Sequence, residues 1–377
     1  MTNIITPILA QWDITKGCNF TCPFCLSNSG KEAKDELDFK QARIVVDKLH
    51  AGGVLFLRIL GGEPFYRKDM LKIMRYAVNK GLLMTFSTNG SLVTEETAKT
   101  LKEIQDNISY FQISLYGTNQ HFYQDFTNNP RGFELVERGI KCLKKYDLNP
   151  YIFWVLTVEN INQLEAAYQL TKKWELPTLR ISLKLNLGRG EKKCGGDSVK
   201  NTNLWTQAIE KLLLLKSFVD KHKTPTVQLH ARPFLGEYLY KLTGLPYFYI
   251  PCKAATTMLY VDSEGKCSPC PFGCFMPQSY SSSLDFNGSA LSLLEYGIDD
   301  IWQSELFQSY RKLKSPELNP KEMNTSCPHY KSENCAPCVF TPCLCKSTIQ
   351  MIKAGHVGFN PSHKLNKRRR QATSCLA

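Results

Sequence analysis

From residue 8 to about residue 230, short runs of β-forming apolar residues alternate with longer stretches whose apolar residues recur at helical spacing. The runs are "ILAQWDIT", "VLFLRIL", "LLMTFST", "YFQISL", "YIFWVLTV" and "TLRISLKLNL". Between them lie "FKQARIVVDKLH", "KDMLKIMRYAVNKG", "TEETAKTLKEI", "GFELVERGIKCLKKY" and "NQLEAAYQLTKKW". Strands that alternate with helices pack as a parallel sheet with right-handed crossovers, so the pattern predicts an α/β fold, either an open doubly wound sheet or a partial barrel. In both, functional groups collect on loops at the C-terminal ends of the strands.

The first such loop carries "CNFTCPFC", with Cys18, Cys22 and Cys25 at spacing C-x3-C-x2-C. The chain has 15 cysteines in 377 residues. Its start, "MTNIITPILAQWD", lacks the basic end and apolar stretch of a signal peptide. No run approaches the roughly 18 apolar residues that a membrane span needs. A soluble, cytoplasmic protein with reduced thiols is expected, and clustered thiols there hold metal or do redox chemistry. Structural zinc and fully ligated iron-sulfur clusters take four protein ligands. Three on one loop suggest a 4Fe-4S cluster with one iron open; zinc completed by a distant cysteine or histidine is the alternative.

The following strand ends carry polar, glycine-rich loops. In "GGEPFYRKDM", Gly61 and Gly62 permit close backbone approach and Glu63 offers a carboxylate to an ammonium group. In "STNG", Ser87 and Asn89 offer groups to a ribose or carboxylate, as does Ser114 in "QISLYG". His121, His230 and His329 are isolated and read as structural.

With these loops in view, the chain resembles the radical S-adenosylmethionine (SAM) enzymes: "CNFTCPFC" is similar to their cluster motif and "GGEP" to the motif holding the methionyl amine. The stretch from "CLSNSGKEAKDELDFKQARIVVDKL" through "FSTNG" is similar to the peptide-modifying branch that includes the mycofactocin maturase and the pyrroloquinoline quinone peptide cyclase. The resemblance implies a partial (β/α)6 barrel in which reductive cleavage of SAM yields a 5'-deoxyadenosyl radical. It implies Cys18, Cys22 and Cys25 as cluster ligands, and Gly61, Gly62, Glu63 and Pro64 at the methionine end of SAM. Ser87, Asn89 and Ser114 would reach its ribose or carboxylate. Relatives often carry an arginine where Thr127 stands; Arg131 lies close by but off register.

The C-terminal third adds Cys252, Cys267, Cys270, Cys274, Cys327, Cys335, Cys338, Cys343 and Cys345. Cys252 to Cys270 reads C-x12-G-x4-C with Gly265 in a hairpin turn, and resembles the opening of a SPASM domain, a holder of auxiliary 4Fe-4S clusters. Cys252 and Cys270 are expected on the nearer cluster, with Cys327, Cys335, Cys338, Cys343 and Cys345 as the pool for the rest. The family's later spacing is altered, with Asn324 in place of a cysteine, and a zinc-ribbon-like module is the alternative. The expected organisation is a radical SAM barrel over residues 1–235, a small cysteine-rich SPASM-like domain over 236–350 and a basic tail over 351–377.

Net charge is +13. Much of it lies on expected helix faces; Lys367, Arg368, Arg369 and Arg370 form a block suited to an acidic peptide or an RNA backbone. The expected function is a peptide maturase that crosslinks or oxidatively decarboxylates a side chain of a ribosomally made peptide. A sulfatase-type formylglycine maturase or a haem-pathway decarboxylase is the enzymatic alternative, and an iron-sulfur or RNA-associated binding protein the non-enzymatic one. Expected partners are a precursor peptide, a separate leader-recognition protein (only about seven residues precede the first strand) and an electron donor such as flavodoxin or ferredoxin. Neither membrane nor nucleic acid is an expected partner.

Overall fold

A computed structural model describes residues 6–30, 35–183, 189, 202–231, 233–248, 252–271 and 289–313. The expected strands are present as β1 (Leu9–Asp13), β2 (Phe56–Leu60), β3 (Leu83–Thr88), β4 (Ile108–Leu115), β5 (Tyr151–Leu156) and β6 (Thr178–Leu183). They lie side by side in chain order and parallel. Helices α1 (Phe39–Ala51), α2 (Met70–Asn79), α3 (Glu95–Glu103), α4 (Gln120–Thr127), α5 (Gly132–Lys145) and α6 (Leu164–Lys173) connect them. The sequence pattern did not announce α4, whose eight residues are too few for a clear period; Asn119 caps it by accepting the Phe122 N–H at 2.9 Å.

The helices form where caps and apolar stripes agree. At the start of α1, Asp38 accepts the Gln41 backbone N–H at 2.8 Å while the Gln41 side chain accepts the Asp38 N–H at 2.9 Å. Its buried residues, Ala42, Val45, Val46 and Leu49, recur at helical spacing and pack on the sheet. On the strands, alternation sorts the two faces. Ala10, Trp12, Leu57, Ile59, Ile152, Trp154, Leu179 and Ile181 are buried under the helices. The other face carries Gln11, Asp13, Arg58, Gln112, Tyr151, Arg180 and His230. Side chains from β2, β4, β6 and later strands meet on that second face, so it is the concave one, a polar and aromatic lumen.

The sheet extends beyond six strands. Helices α7 (Thr202–His222) and α8 (Pro233–Thr243) alternate with β7 (Thr226–His230) and β8 (Tyr247–Phe248), which continue the parallel order. On the opposite edge, β9 (Met258–Val261) pairs in parallel with β1, joining Leu9 to Met258 and Trp12 to Val261. β10 (Cys267–Ser268) pairs antiparallel with β9 as the expected hairpin. The first segment of the cysteine-rich part is thereby a strand of the barrel sheet, and the expected division at 235/236 falls within α8. Helices α9 (Ile298–Trp302) and α10 (Glu305–Leu313) follow, with Arg311 stacked on Trp302 at 4.5 Å. No helix of the described residues is long and apolar enough to cross a membrane.

Candidate active site

The loop after β1 carries the three cysteines, and its two phenylalanines hold it down. Phe20 is buried and packs edge-on to Tyr123 of α4, with ring centroids 6.2 Å apart. Phe24 meets Tyr116 at 5.2 Å and Phe126 at 5.0 Å. Full burial of a ring such as Phe20 contributes about 1.5–3 kcal/mol, and the half-buried Phe24 contributes less. Phe20 and Phe24 are interleaved with the cysteines, so anchoring the rings places the sulfurs. The Thr127 carbonyl accepts the Thr21 N–H at 3.0 Å. Arg131, the off-register arginine, is exposed and paired with Glu134 at 2.7 Å.

Cys22 is buried and Cys18 and Cys25 are half-buried, all three as unpaired thiols. N–H groups point at the sulfurs: Phe20 N–H at 3.4 Å from Cys18 Sγ, Ser29 N–H at 3.4 Å from Cys25 Sγ, and Asn89 Nδ2 at 4.0 Å from Cys18 Sγ. Burial pushes the Cys18 thiol up to about 12, against the opposing pull of the Phe20 N–H. Burial also raises Cys22 well above the ordinary thiol range, reinforced by its two neighbouring thiols. Metal coordination reverses that cost, because a bound cation holds the thiolate outright. Thiols that share one loop, with N–H donors already aimed at sulfur, fit a thiolate-held cluster. Among the described residues no three metal-binding side chains converge on a single ion.

Arg189 closes this loop from a distant part of the chain. Its Nε donates to the Cys22 carbonyl at 2.8 Å, its Nη2 to the Ser29 carbonyl at 2.6 Å, and its backbone N–H to the Cys25 carbonyl at 3.0 Å. Nothing in the motif spacing pointed to it, since 167 residues separate it from Cys22.

The "GGEP" loop lies directly against the cysteine loop. Gly62 N–H donates to Thr15 O at 2.7 Å and Glu63 N–H to Gly17 O at 2.8 Å. A Cβ on Gly61, whose φ is +122°, would stand 2.5 Å from Thr15 O, and one on Gly62 would stand 2.1 Å from Gly17 O. Both positions require glycine because two backbones touch there. Glu63 has no exposed surface. Its carboxylate accepts from Thr88 Oγ1 at 2.6 Å, Asn89 N–H at 2.6 Å and Phe65 N–H at 3.2 Å. Burial pushes it up to about 7, with those three bonds pulling the other way. Pro64 opens a short 3-10 turn, Pro64–Tyr66, that Glu63 caps.

Of the other sequence-expected residues, Asn89 is buried and engaged: Nδ2 donates to Asn19 Oδ1 at 3.0 Å, and Oδ1 accepts from the Ser91 N–H and hydroxyl at 2.9 and 2.6 Å. Ser87 and Ser114 are half-buried on the lumen face of β3 and β4, and Ser114 hydrogen-bonds the Tyr116 phenol. Cys252 is half-buried; Cys267 and Cys270 are buried. Cys327, Cys335, Cys338, Cys343 and Cys345, and the basic tail, lie outside the described residues.

The parallel barrel, the three-thiol loop on its first strand end and the glycine pair against it define a class that comparison with known proteins makes explicit. Residues 12–171 match the model of the radical SAM superfamily, and residues 252–339 match SPASM, an iron-sulfur cluster-binding domain. The chain is a radical SAM enzyme with a SPASM domain, and its cofactors are SAM and iron-sulfur clusters.

Similar curated proteins include the AdoMet-dependent heme synthase of Methanosarcina barkeri, 27% identical over 84% of this chain and 87% of that protein. The mycofactocin maturase MftC of Mycolicibacterium smegmatis is 28% identical over 82% of this chain and 74% of that protein. Among solved structures, Streptococcus suis SuiB bound to S-adenosylmethionine superposes with a TM-score of 0.64 at 17% identity, covering 92% of this chain and 74% of that one. Native anSMEcpe with bound AdoMet gives 0.64 at 18%, covering 92% and 97%. These two likenesses concern the fold.

Proposed function

We propose that this enzyme is a peptide maturase that uses reductive cleavage of SAM to modify a side chain of a ribosomally synthesised peptide. The single observation that carries the reading is the placement of the three-thiol loop at the mouth of a lumen lined by polar and aromatic side chains. The mycofactocin maturases among its relatives support the peptide as substrate. A solved neighbour of the same fold, SuiB, was determined with its precursor peptide SuiA.

In this reading Cys18, Cys22 and Cys25 hold the catalytic 4Fe-4S cluster, which when bound supplies the electron that cleaves SAM. The Phe20 and Ser29 N–H groups stabilise thiolate charge on the first and third of these sulfurs. Gly61, Gly62, Glu63 and Pro64 form the methionine end, where Glu63 acts by bracing the loop: its three hydrogen bonds all go to the protein. Ser87 and Ser114 face the lumen to meet the ribose or carboxylate, and Asn89 orients the loop beside Cys18. Cys252 and Cys270 serve the nearer auxiliary cluster, and the cysteines from Cys327 to Cys345 supply the rest. The SPASM-like part follows α8 while sharing β9 with the barrel sheet, and the tail divides from it near residue 350. A leader-recognition protein and a flavodoxin or ferredoxin complete the system.

The heme synthase relatives support a second reading, a decarboxylase of a porphyrin-type substrate. The test is anaerobic reconstitution followed by reduction with SAM, first alone and then with small peptides encoded beside the gene or with an iron porphyrin. The peptide reading expects 5'-deoxyadenosine together with a mass change in a peptide, and replacing all three cysteines by alanine should abolish both. Turnover of the porphyrin with every peptide untouched would replace this reading with the second.

A further inference from the structure

The lumen contains two arginines that the cluster and SAM loops do not use. Arg180, on β6, is only 8% exposed. Its guanidinium carbon stands 4.9 Å from the Phe248 ring centroid, 5.2 Å from Tyr151 and 5.6 Å from Tyr110. One of its donors, Nη2, reaches Gln228 Oε1 at 3.2 Å. Its Nε is buried with no hydrogen-bond partner. Arg58, on β2, sits between Leu57 and Ile59, both fully buried under the helices, so strand alternation turns Arg58 into the lumen.

The two cations and His230 of β7 lie within electrostatic reach of one another. Burial, then Arg58 and Arg180, pushes the imidazole down to about 4; burial lowers Arg180, with the Tyr110 and Tyr151 phenols opposing and Arg58 adding a smaller push downward. His230 is therefore neutral near pH 7, and its Nδ1 is buried without a partner. Among the described residues, the acid that feels this group is Asp13 of β1, which interacts weakly with Arg58 and is itself raised to about 7 by burial. Among the described residues, no carboxylate pairs with Arg58 or Arg180 within ion-pair distance.

Arg58 is half-buried, but Arg180 is a buried cation without a counter-ion, which is costly, and its aromatic box offsets only part of that cost. A buried donor without a partner is satisfied when an anionic acceptor reaches it, and a guanidinium is matched to a carboxylate in geometry as well as charge.

We propose that Arg180 and Arg58 form a carboxylate-binding site within the barrel, which anchors a carboxylate of the substrate while its reacting part lies toward the cysteine loop. Tyr110, Tyr151 and Phe248 hold the Arg180 fork in place, and the unpartnered His230 Nδ1 supplies a further polar contact. The inference rests on the barrel's being the substrate chamber, as proposed above. It deepens that reading by naming the group recognised, a carboxylate that either a peptide or a propionate-bearing porphyrin can bring.

Binding tests the site separately from turnover. Full-length reconstituted protein is dialysed to equilibrium with two probe pairs. One pair is a defined mixture of N-acetyl tripeptides as free acids against the same mixture as C-terminal amides. The other is coproporphyrin III against its tetramethyl ester. At least one free-acid probe should bind about ten-fold or more tightly than its neutral form, the ratio expected when a charge-assisted hydrogen-bonded pair is lost. Arg180→Gln and Arg58→Gln should each erase that ratio, with Arg180→Lys restoring part of it. The arm that shows the ratio identifies the source of the carboxylate. Equal binding of acid and neutral forms in both arms of the wild-type protein overturns the proposal without any variant, and so does a ratio that survives in a folded Arg58→Gln protein. A carboxylate preference in a protein that modifies no peptide would leave the site standing and remove the peptide reading.

Discussion

Glu63 Oε2 accepts the backbone N–H of Asn89 at 2.6 Å. That bond joins the loop after β2 to the loop after β3, and Asn89 in turn directs its amide toward Cys18. A carboxylate with no exposed surface is thus spent on architecture. It locks the glycine pair, whose backbone lies against the cysteine loop, to the next strand end. This one group ties the second and third strand ends together beside the first.

Glu63→Gln should weaken that lock. The replacement keeps an acceptor for Thr88 but presents an NH2 group to the Asn89 N–H, and losing a charge-assisted bond costs about 1.5–3 kcal/mol. Thermal unfolding of the metal-free protein should shift downward, and reconstituted iron per chain should fall. An unchanged melting curve would show that the bond carries no such weight.

Gly62→Ala is expected to be more damaging than its size suggests. The new Cβ would stand 2.1 Å from Gly17 O, a backbone atom that cannot swing aside. Separating the two loops costs about 1–3 kcal/mol by analogy with overpacked cores. SAM cleavage should drop by at least an order of magnitude, read as 5'-deoxyadenosine released per chain; wild-type rates would contradict the close approach.

Arg189 is expected to act as a positioning residue for the cysteine loop. Arg189→Ala removes donors from the Cys22 and Ser29 carbonyls, and Arg189→Lys restores one point charge without the fork. Iron should be lost to a chelator faster in the order wild type, lysine, alanine. The visible absorption decay during chelation measures it, and identical decay in all three would remove the role.

Asp13 makes a prediction about pH. Burial raises its carboxyl from 3.8 to about 7, with Tyr260 and, more weakly, Lys16 and Arg58 opposing and Asp262 reinforcing. The folded state therefore holds a proton that the unfolded chain releases at lower pH. The sign follows: this contribution is fully present below about pH 4 and is lost as pH rises through about 7, for a total on the order of 4 kcal/mol. Asp13→Asn should lack this pH dependence, so the variant's stability relative to wild type should rise between pH 5 and 7.5. Urea unfolding of both proteins at the two pH values checks it, and a constant difference would place the Asp13 carboxyl in an ordinary environment.

Much of the barrel was legible without a structure. The strands "VLFLRIL" and "YIFWVLTV" and the helix "FKQARIVVDKLH" are written in local periodicity, which neighbouring residues set by facing or avoiding the core. The strand-end positions of Cys18, Gly61 and Asn89 followed from that order. Helix α4 escaped because it is short, and its role in clamping Phe20 and Phe24 shows only once the loop is folded against it. Read alone, "GGEP" offered Glu63 to a ligand ammonium; the tertiary structure surrounds it with Thr88, Asn89 and Phe65.

By itself, then, the amino-acid sequence determined the alternation of strands and helices, the face each strand buries and the loop on which the thiols stand, because those depend on residues a few positions apart. The tertiary structure decided that β9 lies beside β1, that Arg189 grips a loop 167 residues away and that Arg58, Arg180 and His230 share one lumen. Such contacts leave no period in the chain. They arise when a curved sheet brings alternate residues of separate strands to one concave face, and burial there sets which polar groups find partners inside the protein and which are left for a ligand.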